Sequence, residues 1–283
     1  MSSVLAPRPA FAPPAESISE LFHENTKLGE RVLGGPHARL PVEYTLDELA
    51  AVTRSFKQYR LHRRIVLPCP DELPRSGSTF DEVVESRRTV RGFADEPVEP
   101  AELSKVLHQT YGLTGEMPFA GGGVHRLRSA PSAGALYPGE LYLGVRRVAG
   151  VPSGLYHYEV RDHALALLEE GDQTERLHEA CCFQDYARTA AVVVLIAGAL
   201  QRTKRRYGER GYRYVLLDAG HLTQNLLLSS TALGLAAMTT CGFFDDTAAR
   251  LLCLDGVDEA VLYVAFLGRP AQDWEGKTVL EGA

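Results

Sequence analysis

The chain lacks most of the features that would settle its class at a glance. It has no excess of positive charge: 36 acidic against 30 basic residues leave a formal net charge of −6. That balance argues against a general binder of nucleic acid or of acidic membrane surfaces, while leaving room for one local basic pocket. It has no long apolar run either. The longest, Ala190 to Leu200, is too short to span a bilayer and reads as a buried strand. The five cysteines (Cys69, Cys181, Cys182, Cys241 and Cys253) form no CxxC pair and no spacing with histidine, so no metal site is expected. Their odd number, with prolines and an arginine where a secretion signal needs an apolar core, is the pattern of reduced thiols in a cytoplasm. The adjacent Cys181 and Cys182 are expected in the core. There is no P-loop, no Ser-His-Asp order, no paired-carboxylate spacing and no internal repeat. Gly121 to Gly123 lacks the strand-GxGxxG-helix setting of a dinucleotide site and reads as a flexible turn.

What is present is an ordinary globular composition, 45% hydrophobic over 283 residues, enough to bury a sizeable core. Residues 1–15, rich in proline and alanine, read as a mobile tail. Residues 16–78 read as an N-terminal extension and connector: an amphipathic segment over 17–28, a helix opened by a Thr45/Glu48 capping box, then a stretch broken by Pro68, Pro70 and Pro74. The main domain runs over 79–283. Thr79 and Glu82 form a second capping box, and Pro100 and Gly112 bracket a helix whose Leu103, Val106 and Leu107 share one face. A strand over 140–148 and a hairpin turning at Arg161 and Asp162 follow. A polar helix from Gln173 to Ala180 then precedes the buried strand. The longest helical pattern, Tyr212 to Leu235, is apolar nearly all round, which places it in a domain centre or a subunit interface. Asp218, His221 and Asn225 interrupt it at spacings of three and four that put them on one face. Helices and strands without regular βαβ alternation indicate the α+β class.

Four segments carry candidate chemistry. SRRTVRGF (86–93) puts Arg87, Arg88, Thr89 and Arg91 within five positions; three guanidinium groups so close make an anion clamp, or equally the dipole-favoured cationic end of a helix. PSAGALYP (131–138) has small residues and a hydroxyl that let backbone approach a flat ligand, or form a tight turn before a strand. KRRYGERGYRY (204–214) interleaves tyrosine with cations at the start of the long helix. TTCGFFDD (239–246) follows that helix, with Gly242 in a loop and Asp245 able to cap another helix.

SRRTVRGF, PSAGALYP, the glutamine of CCFQDYA, RYGERGYRYVLLDAGHLTQN, CGFFDD and a closing Gly-Arg-Pro occur in that order. The order resembles the FMN-dependent nitroreductase-like flavoproteins, most closely their SagB-type branch, the dehydrogenases that turn peptide thiazolines and oxazolines into azoles. The resemblance runs from Ser86 to Arg269. It implies a fold with a central antiparallel-rich sheet flanked by helices, a homodimer, and FMN at the subunit interface. It also implies roles: Arg87, Arg88, Thr89 and Arg91 on the FMN phosphate and ribityl chain; Ser132, Ala133, Gly134 and Ala135 along the isoalloxazine; the Gln184 amide near the ring; and a backbone contact from Cys241 and Gly242. The partners implied are an azoline-bearing peptide and a cyclodehydratase or synthetase, with oxygen reoxidising the flavin.

One departure bears on the reaction. The branch usually carries a Lys-Tyr pair where this chain has Arg206-Tyr207. Oxidising an azoline removes a hydride, which the flavin takes, and a proton, which the protein must receive. Arginine cannot act as a base near neutral pH, whereas a guanidinium beside a phenol favours the phenolate. Tyr207 is therefore the expected base and Arg206 its electrostatic support. Two other outcomes fit the same residues: an NAD(P)H-dependent nitroreductase or flavin reductase, and a catalytically idle flavin-binding partner.

Overall fold

The computed structural model describes residues 17–28, 45, 56–73, 77–119 and 123–271. The chain divides into two compact units, Met1–Glu43 and Tyr44–Ala283. In the first, α1 (Ile18–Asn25) opens on Ser17, whose hydroxyl accepts from the Glu20 amide. The tail over 1–15 and the helix expected after Thr45 lie outside the described residues.

The second unit is organised on β7 (Val192–Ala199), buried at every position. Its unbroken apolar character follows from coverage on both faces. Val192, Val194 and Ile196 join one core cluster while Val193, Leu195 and Ala197 join another, as the two-residue period of a strand requires. The first face is covered by α3 (Pro100–Tyr111) and α7 (Gly211–Ala232), through Leu103, Val106 and Leu107 from one and Leu222 and Leu226 from the other. The second is covered by α4 (Thr174–Ala180) and α8 (Asp245–Leu251), through Leu177, Ala180, Ala248 and Leu251.

Seven strands pair in the order β1-β6-β5-β4-β7-β9-β8, every pairing antiparallel. They are β1 (Arg64–Val66), β4 (Gly139–Val145), β5 (Gly154–Glu159), β6 (Ala164–Glu170), β7, β8 (Ala236–Thr240) and β9 (Glu259–Gly268). The α+β reading and its antiparallel sheet hold. The expected hairpin turns where predicted, β5 pairing β6 across 160–163. Two details differ. The connector over 60–78 supplies β1, which pairs its Arg64 with Ala166; three residues with no alternating apolar pattern leave periodicity nothing to detect. Gly123, expected in a turn, begins β3 (Gly123–Arg128), which pairs with β2 (Leu113–Phe119) as a separate two-stranded sheet.

The far end of the β5–β6 hairpin is pinned by His163. The Ser104 hydroxyl donates to Pro68 O (2.6 Å) and lies 2.8 Å from His163 Nε2, and the Tyr158 hydroxyl lies 2.8 Å from Nδ1. Because the Ser104 proton is committed to Pro68, Nε2 carries hydrogen and Nδ1 accepts, which is a neutral imidazole. Burial, reinforced by nearby His108, pushes this imidazole down to about 4. The unfolded chain, near 6.5, binds the proton first as pH falls. Stability is thus full above about pH 6.5 and declines toward pH 4. Urea melts across that range should show His163→Gln losing less stability on acidification than the parent; an identical decline would exclude His163 as its source.

Candidate functional site

The arginine segment starts where α2 (Phe80–Ser86) stops. The Thr79/Glu82 capping box forms in both directions, and Arg87 leaves the helix in extended geometry, at φ −57° and ψ 123°. From there the chain runs beside β8 and residues 269–271: Val90 N donates to Ala237 O (3.2 Å), Ala94 N to Arg269 O (2.9 Å) and Ala271 N to Gly92 O (3.1 Å). Val90 and Phe93 point inward and are buried, while Arg88, Thr89 and Arg91 are exposed and Arg87 half-buried. Arg88 Nη1 donates to Glu85 O (2.7 Å) and Arg87 O (2.9 Å), capping the helix end. Among the described residues, no carboxylate pairs with Arg87, Arg88 or Arg91. A cleft of about 450 Å³ lies beside Arg88, lined also by Thr231, Gly234 and Ala236.

The 132–135 loop is held from behind by α7. Ser132 Oγ donates to Asp218 Oδ2 (2.5 Å) and accepts from Tyr137 N (2.9 Å), while Ala133 N reaches Asp218 Oδ1 (3.4 Å). Gly134 (φ 60°), Ala135 (φ 48°) and Tyr137 (φ 48°) are all left-handed, a geometry alanine and tyrosine adopt at a cost. Gly134 is exposed, so backbone faces outward there with no side chain in the way. Asp218 is 4% exposed. Its carboxyl is pushed up by burial against the opposing pull of the Ser132 and Ala133 bonds. Asp218→Ala would strand both donors and should cost about 1–3 kcal/mol of stability in denaturant titration; an unchanged midpoint would show that the loop does not depend on it.

Behind the loop sits a buried ionic group. Arg202, in α6 (Leu200–Tyr207), donates from Nη1 to Tyr137 O (3.0 Å) and pairs through Nη2 with Glu140. Glu140 also bonds His157 Nε2 (2.9 Å). Burial alone would raise its carboxyl, but Arg202 and then His157 outweigh it and hold Glu140 down to about 2. One turn further along α6 come Arg206 and Tyr207. The Arg206 guanidinium lies 5.7 Å from the Tyr207 ring centre, and that ring meets Tyr214 edge-on at 4.9 Å. Arg202 therefore ties the helix bearing the expected catalytic pair to the 132–138 loop.

Gln184 and Gly242 meet directly, Gln184 Nε2 donating to Gly242 O at 2.5 Å, while Gly242 N donates to Thr240 Oγ1 (2.9 Å). A Cβ at position 242 would come within 3.0 Å of that amide nitrogen. Cys241 is exposed beside them. The predicted residues thus form three groups: Gln184 with Cys241 and Gly242; the 132–135 loop with α6; and the arginine segment. The first and third share β8 as a spine, since Val90 bonds Ala237 and Cys241 follows Thr240. The described hydrogen bonds of the second run instead to α7 and α6. Composition and spacing missed Asp218, Glu140, Arg202 and His157 as supports; the only available signal was Asp218 breaking the apolar pattern of a long helix.

Within the single chain helix α7 is enclosed on one face only. Val215, Ala219, Leu222 and Leu226 are buried, but Leu216 and Leu217 are 43% and 59% exposed and Gly220 has open space beside it. Among the described residues no helix is long and apolar enough to cross a membrane, and no cluster of histidine, cysteine or carboxylate could hold a metal.

Comparison with known proteins places this geometry. The model of the Nitroreductase family matches residues 84–269. A Methanocaldococcus jannaschii protein named as a nitroreductase is 36% identical over 173 residues, 61% of this chain and 83% of that one. The microcin B17-processing protein McbC of Escherichia coli is 32% identical over 151 residues, half of this chain (50%) and 54% of McbC. The crystal structure of an Anabaena variabilis protein named as a nitroreductase superposes with a TM-score of 0.69 at 28% identity, covering 89% of this chain and 46% of that one. The chain thus spans about half the length of the last two.

Proposed function

This chain belongs to the nitroreductase family, and from that premise we propose an FMN-dependent dehydrogenase of SagB type that oxidises azoline rings of a modified peptide to azoles. The observation that carries it is the arrangement along β8: cations that no carboxylate among the described residues pairs with at one end and the Gln184–Gly242 amide pair at the other. A strand rises ~3.3 Å per residue, so Ala237 and Thr240 stand roughly 10 Å apart with the Cys241–Gly242 loop beyond them, suited to an elongated ligand with an anionic tail and a polar-edged head. FMN, when bound, supplies a hydride acceptor. Arg87, Thr89 and Arg91 would hold its phosphate, with Arg88 bracing the segment at the end of α2, and the exposed backbone at Gly134, with Ser132, Ala133 and Ala135, would lie along its ring. Gln184 and the Cys241–Gly242 backbone meet the polar edge of that ring. Tyr207 takes the proton the azoline loses; the Arg206 guanidinium beside it is its support, and the Tyr214 ring fixes its orientation.

The outward face of α7, with Leu216, Leu217 and Gly220, is the homodimer contact, which would bring the 132–135 loop of one copy to the arginine segment of the other. Similarity to McbC, a microcin-processing protein by name, supports a peptide substrate; a cyclodehydratase or synthetase partner and a cytoplasmic setting complete the reading.

The purified protein should be yellow, and mass spectrometry should show two hydrogens lost from an azoline peptide. A protein that stays colourless after FMN addition would overturn the proposal. Similarity to the M. jannaschii protein favours a second reading, an NAD(P)H-dependent nitroreductase; rapid bleaching of the flavin by NADPH with nitroaromatic turnover, and no change in the azoline peptide, would select it. A yellow protein active in neither assay would instead be a catalytically idle partner.

A further inference from the structure

We infer that Phe183 and Phe244 form an aromatic wall on which the flat heterocycle of the peptide substrate stacks, an assignment that rests on the azoline reading above. The two rings are 61% and 46% exposed and meet edge to face, 6.1 Å apart at 74°. They flank the Gln184–Gly242 bond: Phe183 immediately precedes Gln184, and Phe244 lies two residues beyond Gly242.

The backbone holds them there at a cost. Cys182 (φ 54°) and Phe183 (φ 57°) are consecutive left-handed residues, and neither is the glycine that adopts this geometry freely. Ending α4 needs no phenylalanine; a glycine would end it without strain. Strain of this kind persists where surrounding structure over-determines it, most often at functional sites. Here the surroundings are explicit: Phe183 N donates to His178 O (2.8 Å), Gln184 N to Cys181 O (3.1 Å) and Phe244 N to Ala180 O (2.8 Å). The His178 ring backs Phe183 edge-on at 5.5 Å. Two phenyl rings locked to the end of one helix present one face and one edge to a third ring, the arrangement aromatic groups prefer.

The size of the patch selects its occupant. Two phenylalanines can bury ~400 Å² together; at 61% and 46% exposure about half of that is still open, roughly a quarter of the ~800 Å² that each partner contributes to a stable protein interface. That is too little for a second copy of this chain and suited to one heterocycle with its flanking peptide.

The test uses flavin-loaded protein titrated with an azole-bearing product peptide, read through flavin absorbance, so that no turnover is needed. Phe183→Gly removes the ring while relieving the backbone, and Phe244→Ala removes its partner. Each should weaken binding about two- to twelvefold with flavin content unchanged. Phe183→Gly should melt no lower than the parent, and Phe183→Tyr should bind like it. Equal affinity in the parent and both ring-deleting variants, or no binding by the parent, overturns the wall. Failure of the parent to remove two hydrogens from an azoline peptide, with the binding difference intact, would overturn the dehydrogenase reading and leave the aromatic wall standing.

Discussion

Replacing Arg87 or Arg91 by alanine should yield a folded protein that purifies largely free of flavin. The three arginines of the segment look alike in sequence, but the structure divides them. Arg88, two residues past α2, spends its guanidinium on the carbonyls of Glu85 and Arg87 at the helix end, where the helix dipole favours a cation. Arg91 is exposed and Arg87 half-buried, and neither faces a carboxylate among the described residues. Their charge is left for an external anion. A charge-assisted hydrogen bond contributes about 1.5–3 kcal/mol, so losing one should weaken FMN by roughly 10- to 150-fold. Lysine at either position should recover only part of this, because it keeps the charge and loses the planar fork. Arg88→Ala should retain more flavin than either variant. The ratio of flavin to protein absorbance, followed by calorimetric titration of the stripped proteins, distinguishes them. Equal loading of all three would remove the phosphate clamp.

Tyr207→Phe should load flavin normally and lose azoline oxidation by about 10²- to 10⁴-fold, the usual contribution of a positioned general base. Phenylalanine preserves the edge-on contact with Tyr214, so the variant deletes the hydroxyl without disturbing the helix junction. Arg206→Gln should also slow turnover, by less, since it removes a supporting charge and leaves the base. Single-turnover reduction of the bound flavin by an azoline peptide isolates the step. Full turnover by Tyr207→Phe with normal flavin binding would show that another group takes the proton.

What could be seen in the sequence were features defined within a few residues of one another. The capping box at Thr79 and Glu82, the Pro100–Gly112 bracket, the wholly apolar β7 and the order of the short motifs are all local. Each appears in the structure as expected. Where local pattern was absent, so was the expectation. Strand β1 is three residues held by its neighbour's backbone. Asp218 reaches Ser132 across 86 positions, and Arg202 reaches Glu140 across 62. Apolarity around α7 indicated burial, but it could not say that the chain's own core covers only one face and leaves Leu216 and Leu217 outside.

By itself the sequence determined the α+β class, through side-chain type and short-range spacing, and the resemblance of its ordered motifs pointed to the family and to the residues proposed to meet the flavin. Only the tertiary structure decided which arginine is committed to a helix end, which carboxylate braces the 132–135 loop, and that Phe183 stands outward on a left-handed backbone. Those are properties of burial and of hydrogen-bond partners, which come into being when distant parts of the chain meet.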